Sequence, residues 1–268
     1  MVKLFEEDVY ENRWQSSKGN QLKFVRDGIW YKADYTGYEG LAEYTVSKLL
    51  HFSNLSADEY VDYELEQISY RDNVYNACKS RDFTDGWTLI TLERLFKSVY
   101  GSGLNRIIYS EPNTEQRLRI LTEQVERVTG LTDFGVYMSK LLTIDSLFLN
   151  EDRHTHNIAV LMNEKNEFRT APVFDNGAAL LSDTRMDYPM SRDPISLMGL
   201  VKPKTFCDDF TEQLEIAERL YGRHIHFSFS YNDVRSIVDS AMIYDEAIRN
   251  RVIEIVMQMR RKYAYLFS

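Results

Sequence analysis

The sequence predicts an α+β fold of two lobes, because strand patterns fill its first third and helical patterns fill most of the rest. Apolar and polar residues alternate through 22–26 and strand-forming residues resume through 29–33, on either side of Asp27-Gly28, a dipeptide typical of a two-residue hairpin turn. From Leu89 onward, apolar residues recur mainly at helical spacing. We therefore expect a β-rich N-lobe at residues 1–80 and a helical C-lobe at residues 81–268.

The individual elements follow from the same patterns. Leu41, Tyr44 and Leu49 lie near helical spacing and predict a helix over 40–52. Strands are expected at 60–68 and 73–78, and the segment from Thr91 opens a helix. Two longer helices are expected at 115–129 and 134–149, short strands at 158–162 and 168–174, and a helical tail at 233–267.

Composition excludes several classes of protein. The chain has 268 residues, of which 44% are hydrophobic and 27% charged, as in a globular protein. Its net charge of −9 disfavours general binding to nucleic acid or to an anionic membrane. Two cysteines are too few for a disulfide scaffold. Because no apolar run approaches the ~20 residues of a membrane span, and the N-terminus has no signal-like apolar core, we expect a cytoplasmic protein.

The most informative stretch is a dense polar cluster between an apolar helix and an apolar strand. It contains Asp152 and, five residues later, Asn157; Asp175 follows after a short predicted hairpin. This order is typical of a phosphoryl-transfer centre, in which the first Asp orients and deprotonates the acceptor hydroxyl while the Asn and second Asp hold Mg²⁺. Two alternatives stay open: all three residues cap turns, or His154 and His156 bind zinc.

The stretch NEDRHTHNIAVL, together with VFDNG, resembles the catalytic and metal loops of the HipA-like serine/threonine kinases. These are toxin-type kinases distantly related to phosphatidylinositol kinases. Residues 16–23 fit the S-x-x-G-x-Q-x-K phosphate loop of that family. The resemblance extends over residues 14–220 and implies a two-lobed protein-kinase-like fold. It also implies ATP and Mg²⁺ as cofactors and a Ser or Thr hydroxyl of a protein as acceptor.

The resemblance also implies roles for particular residues. Asp152, His154 and Asn157 are expected to be catalytic, with Asn157 and Asp175 as metal ligands. Lys32, steadied by Glu43 on the following helix, is expected to grip the phosphates; Glu39 is the competing acid, better placed to cap the helix start. The complete ATP-binding set is Ser16, Ser17, Lys18, Gly19, Gln21, Lys23, Lys32, Glu43 and the hinge residues Ala77, Cys78 and Lys79.

Further expectations concern regulation and partners. In the family, a serine of the phosphate loop can be autophosphorylated, which makes Ser16 the candidate here, with Ser17 as the alternative. An antitoxin-like partner is also implied, although we expect this chain to lack the extra N-terminal subdomain of the family. His154 takes the position where typical protein kinases have a lysine near the transferring phosphate.

Alternative functions stay open beside the protein kinase. The Asp152-Arg153-His154 loop also suggests a lipid or small-molecule kinase, and a nucleotide-binding pseudokinase or regulatory binding module is the non-enzymatic alternative. Thr132-Asp133-Phe134-Gly135 spells a protein-kinase metal motif but precedes the catalytic loop, so Asp133 is interpreted as a helix N-cap.

Overall fold

A computed structural model describes residues 1–10 and 21–267, except for the side chains of residues 105 and 107. The strands are β1 (Val2–Lys3), β2 (Lys23–Arg26), β3 (Ile29–Ala33), β4 (Glu64–Tyr70), β5 (Asn73–Arg81), β6 (Thr88–Thr91), β7 (Ala159–Met162) and β8 (Phe168–Thr170). The helices are α1 (Glu39–Leu50), α2 (Leu92–Tyr100), α3 (Leu104–Ser110), α4 (Thr114–Thr129), α5 (Phe134–Phe148), α6 (Pro194–Met198), α7 (Phe210–Tyr221), α8 (Tyr231–Asp239) and α9 (Glu246–Lys262).

The N-terminal part is a five-stranded sheet in the order β1-β4-β5-β3-β2. The predicted hairpin is confirmed: β2 and β3 are antiparallel, and Asp27 and Gly28 both have positive φ, 53° and 72°, as a type I′ turn requires. Because side chains alternate along a strand, Tyr31 and Ala33 face one side of the sheet and Lys32 faces the other. On the Lys32 side lies α1, which packs against β3, β4 and β5.

The C-terminal part is built around α5, in which every residue from position 141 to position 148 is buried. A helix buried all round lies within the core of a domain rather than on its surface. Helices α4, α7 and α9 pack against it. This arrangement gives the end of α5 a rigid position, and the polar cluster of the sequence begins there.

A second, three-stranded sheet has the order β6-β7-β8; β6 precedes α2 in the chain, whereas β7 and β8 follow α5. The predicted catalytic loop (residues 152–157) precedes β7, and the predicted metal loop (residues 174–177) follows β8; they are called the catalytic loop and the metal loop below. The β7–β8 hairpin therefore connects the two polar loops.

Three sequence predictions are corrected. Residues 88–91 form the strand β6 before the helix begins at Leu92, because Thr-Leu-Ile-Thr pairs with β7. The strand predicted at 60–68 lies at Glu64–Tyr70. The tail is two helices rather than one, since Tyr231–Asp239 ends before a turn and Glu246–Lys262 begins after it. Within residues 1–10 and 21–267, no helix has the length and apolar character needed to cross a membrane.

Candidate active site

The catalytic loop leaves α5 through a sharp change of backbone direction. Leu149, which follows the helix, has a φ of 56°, and its backbone N–H donates to the Asp145 carbonyl. A left-handed conformation is unfavourable for leucine, so the surrounding packing must hold it in place. The turn ends α5, and the next side chain, Asn150, donates back to the Asp145 carboxylate at 3.0 Å.

Arg153 connects the loop to its surroundings. Its guanidinium donates to the Asp145 carboxylate on α5, with Nε–Oδ2 at 3.0 Å and Nη2–Oδ1 at 3.0 Å, and both side chains are almost completely buried. Nη1 donates to the carbonyls of Asn157 (3.1 Å) and Phe174 (2.6 Å), and Nη2 donates to Asn176 Oδ1 (2.7 Å). One buried cation thus holds the helix, the catalytic loop and the metal loop in a fixed relation.

Asp152, His154 and Asn157 lie close together within this loop. The Asn157 amide Nδ2 donates to the Asp152 carbonyl at 2.9 Å, which leaves the amide oxygen to act as an acceptor or ligand. His154 Nε2 lies 3.7 Å from Asp152 Oδ2, while His154 Nδ1 accepts from the backbone N–H of His156 at 3.2 Å. A neutral His154 therefore carries its ring proton on Nε2, toward the aspartate.

The metal loop holds Asp175 in an unusual backbone conformation. Its φ is 60°, in the left-handed region, which Asp and Asn tolerate better than most residues. The next residue, Asn176, is anchored, since its backbone N–H donates to Glu43 Oε2 at 2.8 Å. The strained position aims the Asp175 carboxylate at the first sheet, where Lys32 lies.

Lys32 contacts two carboxylates from different parts of the chain. Its Nζ lies 2.6 Å from Glu43 Oε1 and 2.8 Å from Asp175 Oδ1, and its side chain is 11% exposed. Tyr63 lies beside it, with its hydroxyl 3.4 Å from Nζ. The strand lysine and helix glutamate that the sequence pairs are in direct contact, and Glu39 is used elsewhere. Its carboxylate accepts from the backbone N–H groups of residues 35–37 at the start of α1.

Electrostatics within the site favour the ionised forms of this pair. Burial alone lowers the pKa of Lys32, but Asp175 and Glu43 outweigh it and raise that pKa well above the ordinary lysine value. Burial alone raises the pKa of Asp175, but Lys32 outweighs it and holds that pKa far below the usual range. Burial lowers the pKa of His154, although Asp152 opposes the effect.

These loops line one cleft together with residues around the starts of β2 and α1. Asp152, Asn157 and Asp175 all line this cleft although they are distant in sequence. The complete lining is Gln21, Lys23, Tyr35, Thr36, Glu39, Asp152, Asn157, Asp175, Gly177, Ala178 and Ser182. Two members of the predicted phosphate loop, Gln21 and Lys23, border the cleft; Ser16, Ser17, Lys18 and Gly19 lie outside the described residues.

The predicted hinge is displaced. Ala77, Cys78 and Lys79 lie inside β5, where each has a partner on both β3 and β4, for example Cys78 opposite Lys32 and Leu65. Their backbone N–H and C=O groups face the neighbouring strands of the sheet, so these groups are poorly suited to bind the edge of an adenine ring. The chain passes from the first sheet to the second through residues 82–87, between Arg81 and Thr88.

Several residues of the site escaped sequence reasoning. The Asp145–Arg153 pair had a signal, since Asp145 is an acidic residue within an apolar helix and needs a buried partner. Tyr188 donates to Glu151 Oε2 at 2.5 Å beside the catalytic loop, and Lys204 Nζ lies 3.3 Å from Asp152 Oδ1. Neither of these contacts has a local sequence signal.

The donor chemistry of the cleft fits Mg²⁺ better than zinc. Among the described residues, no group of three or more His, Cys, Asp and Glu side chains is placed to hold a metal ion. Asn157 and Asp175 instead offer an amide oxygen and a carboxylate on facing loops of one cleft. Mg²⁺ commonly takes one or two protein oxygens and completes its shell with phosphates and water.

Asp133 is the N-cap residue of α5, as predicted, although its side chain makes no capping hydrogen bond.

Comparison with known proteins gives a likeness of fold. No family model and no curated protein matches the sequence. Among solved structures, the proinflammatory kinase CtkA of Helicobacter pylori matches with a TM-score of 0.62 at 15% identity, over 99% of this chain and 96% of that one. The HipA of a toxin–antitoxin system of Shewanella oneidensis, solved with HipB and operator DNA, matches with a TM-score of 0.41 at 10% identity, over 97% and 55%.

The first of these likenesses confirms the predicted fold class. The protein has a two-lobed, kinase-like α+β fold, with a β-rich N-terminal part and a mainly helical C-terminal part.

Proposed function

We propose that this protein is an ATP- and Mg²⁺-dependent kinase of the HipA-like type, which transfers the γ-phosphoryl group to a Ser or Thr hydroxyl of a protein. The observation that carries the proposal is that Asp152, Asn157 and Asp175 line one cleft, and that Asp175 also contacts Lys32, which is paired with Glu43. These side chains come from a strand, a helix and two loops. Structural capping of separate turns would not require that they meet.

Each side chain has a role in the proposed reaction. Lys32 binds the α- and β-phosphates, and Glu43 keeps its ammonium oriented. Asn157 and Asp175 would hold Mg²⁺, which supplies charge neutralisation across the phosphates. Asp152 orients the acceptor hydroxyl and receives its proton. Positioning and preorganised charge supply most of the rate, because phosphoryl transfer has a loose transition state.

Lobe boundaries and the adenine position are part of the proposal. We place the N-lobe at residues 1–80 and the C-lobe at residues 81–268, with residues 82–87 as the connection that borders the adenine. Phe83 in this connection packs against Phe174, with ring centroids 5.5 Å apart. This apolar contact lies next to the metal loop and suits a flat heterocycle.

Regulation and partners complete the proposal. Addition of ~−1.5 to −2 charge at Ser16, or alternatively Ser17, would repel the triphosphate from the phosphate loop. The Shewanella structure contains an antitoxin and operator DNA, and an antitoxin-like protein is the corresponding partner proposed here. Cys78 and Cys207 are free thiols, in keeping with a reducing cytoplasm.

Transfer from radiolabelled ATP tests the function. Asp152→Ala should lower kcat by at least ~10²-fold while the affinity for a non-hydrolysable ATP analogue persists. Asp175→Asn, which the left-handed backbone tolerates, should also weaken Mg²⁺-dependent nucleotide binding. Glu254→Gln, an exposed position on α9, is the matched control and should behave as the wild type.

The acceptors in the same assay separate the alternatives. Labelling of proteins supports the proposal, whereas labelling of phosphoinositide vesicles alone would indicate a lipid kinase. Nucleotide binding without any transfer would indicate a pseudokinase. Unchanged activity of Asp152→Ala would contradict the proposed mechanism.

A further inference from the structure

Lys204, in the segment between α6 and α7, contacts Asp152, a residue that lines the cleft; we call the Asp152 side of the cleft its acceptor end. Its Nζ is 3.3 Å from Asp152 Oδ1, and its side chain is 45% exposed. Asp152 itself is only 11% exposed. The lysine therefore reaches from the surface to the carboxylate that faces the acceptor hydroxyl in the proposed reaction.

The backbone around Lys204 is built onto the catalytic loop. Thr205 is buried, and its hydroxyl donates to the Arg153 carbonyl at 2.6 Å. Phe206 is also buried, and its carbonyl accepts from Arg117 Nη1 at 2.7 Å. Tyr109 donates to the Lys204 carbonyl at 3.2 Å. The segment is thus anchored on both sides of Lys204, which differs from a lysine on a surface tail.

A neighbouring lysine shows what an ordinary surface pair looks like in this segment. Lys202 Nζ lies 2.8 Å from Asp208, and both side chains are mostly exposed, at 63% and 74%. Such a pair contributes little because water screens it. Lys204 differs, since its partner is a nearly buried carboxylate of the catalytic loop.

In the proposed reaction, a cation at the acceptor end of the cleft would stabilise the negative charge of the transferring phosphoryl group. The charge of Lys32 is matched by Glu43 and Asp175 at the metal end of the cleft. The catalytic loop has a histidine, His154, at the position where typical protein kinases have a lysine. Negative charge spreads over the oxygens of the transferring phosphoryl group, and a preorganised cation there stabilises the transition state.

We propose that Lys204 is a catalytic residue that contacts the γ-phosphoryl group during transfer and takes the part of the lysine that the catalytic loop lacks. This inference rests on the proposed kinase function. As the acceptor oxygen forms its bond to the γ-phosphorus, the bond from that phosphorus to the β-phosphate oxygen breaks. The electron pair leaves on ADP, and the hydroxyl proton passes to the Asp152 carboxylate. Lys204 lies beside both the acceptor oxygen and the moving group, and its ammonium is retained throughout.

The test compares Lys204→Ala, Lys204→Arg and the matched control Lys202→Ala in the same transfer assay. Lys204→Ala should lower kcat by about 10²–10³-fold, the usual effect of removing one transition-state contact. Its KM for ATP and its affinity for the ATP analogue should stay within about threefold of the wild type. Lys204→Arg should recover much of kcat, Lys202→Ala should keep full activity, and the melting temperature of all three variants should match the wild type.

The opposite results overturn the inference in recognisable ways. If wild type transfers phosphate and Lys204→Ala retains its kcat or exceeds it, Lys204 makes no transition-state contact. A loss confined to KM would assign Lys204 to substrate docking instead of catalysis. If wild type and Lys202→Ala both transfer nothing to any acceptor, the kinase function itself fails, and the inference about Lys204 fails with it.

Discussion

The buried pair between Asp145 and Arg153 gives the sharpest prediction about stability. Both side chains are almost fully inaccessible, at 0% and 3% exposure, and the carboxylate accepts from both Nε and Nη2 of the guanidinium. Asp145→Asn preserves the shape of the side chain but removes its charge. The substitution leaves the Arg153 cation buried without its counterion.

The size of the effect follows from what Arg153 keeps and loses. Its bonds to the carbonyls of Asn157 and Phe174 and to Asn176 persist. It loses the ion pair, and the new amide N–H₂ group meets another donor. Removing one partner of a buried ion pair costs about 3–5 kcal/mol, so we expect the free energy of unfolding to fall by that amount. For a chain of this size, the melting temperature should fall by roughly 6–20 °C.

Urea denaturation followed by circular dichroism measures this change. The midpoint should fall while the slope with denaturant stays constant, because the surface exposed on unfolding is unchanged. Asp239→Asn is the control: it removes the same charge from an exposed pair with Arg235 and should cost no more than about 0.5 kcal/mol. A loss below about 1 kcal/mol for Asp145→Asn would refute the reasoning that this pair supports the loop.

Three further predictions concern other buried polar contacts. Burial raises the pKa of Asp34 to about 8, against opposition from the Gly40 N–H. The folded state therefore retains a proton between pH ~4 and ~8 that the unfolded chain releases, and stability falls as pH rises through this window. Asp34→Asn should reduce this slope by up to about 1.4 kcal/mol per pH unit; equal slopes in urea titrations at several pH values would contradict it. Glu43→Gln should weaken the orientation of Lys32 and raise the KM for ATP, measured by steady-state kinetics, and an unchanged KM and kcat would argue against the clamp. Tyr188→Phe removes a hydroxyl that donates to buried Glu151 and should cost about 1.5–3 kcal/mol in thermal or urea unfolding, whereas no change would show that the bond contributes nothing.

The sequence predicts the parts of this fold that depend on local chemistry. The β2–β3 hairpin follows from Asp27-Gly28, because a two-residue turn with positive φ at both positions specifies its own register. The pairing of Lys32 with Glu43 needed the resemblance to kinases, because the strand and helix patterns alone are equally typical of a surface lysine and a surface glutamate. The contact of Lys32 with Asp175 was not predicted, since nothing local connects residues so far apart.

Predictions failed where tertiary pairing overrode the local pattern. The strand at Thr88–Thr91 is short and runs directly into α2, so only its partner β7 identifies it. Ala77–Lys79 lie in a segment that resembles the hinge of the HipA-like kinases, but their pairing on both sides places them in the sheet. Lys204 lies on irregular backbone anchored by Thr205, and irregular backbone has no period from which its contacts could be inferred.

The position of Arg153 changes the meaning of the Asp-Arg-His motif. That motif suggests a lipid or small-molecule kinase as an alternative, because lipid kinases carry a similar loop. The Arg153 guanidinium instead donates to buried groups of the protein. These are the Asp145 carboxylate, the Asn176 side chain and the carbonyls of residues 157 and 174. Arg153 therefore holds the catalytic and metal loops together and gives no preference for a lipid over a protein acceptor. In the proposed function, we expect discrimination between acceptors to depend on residues around Asp152, of which Lys204 on its anchored segment is one.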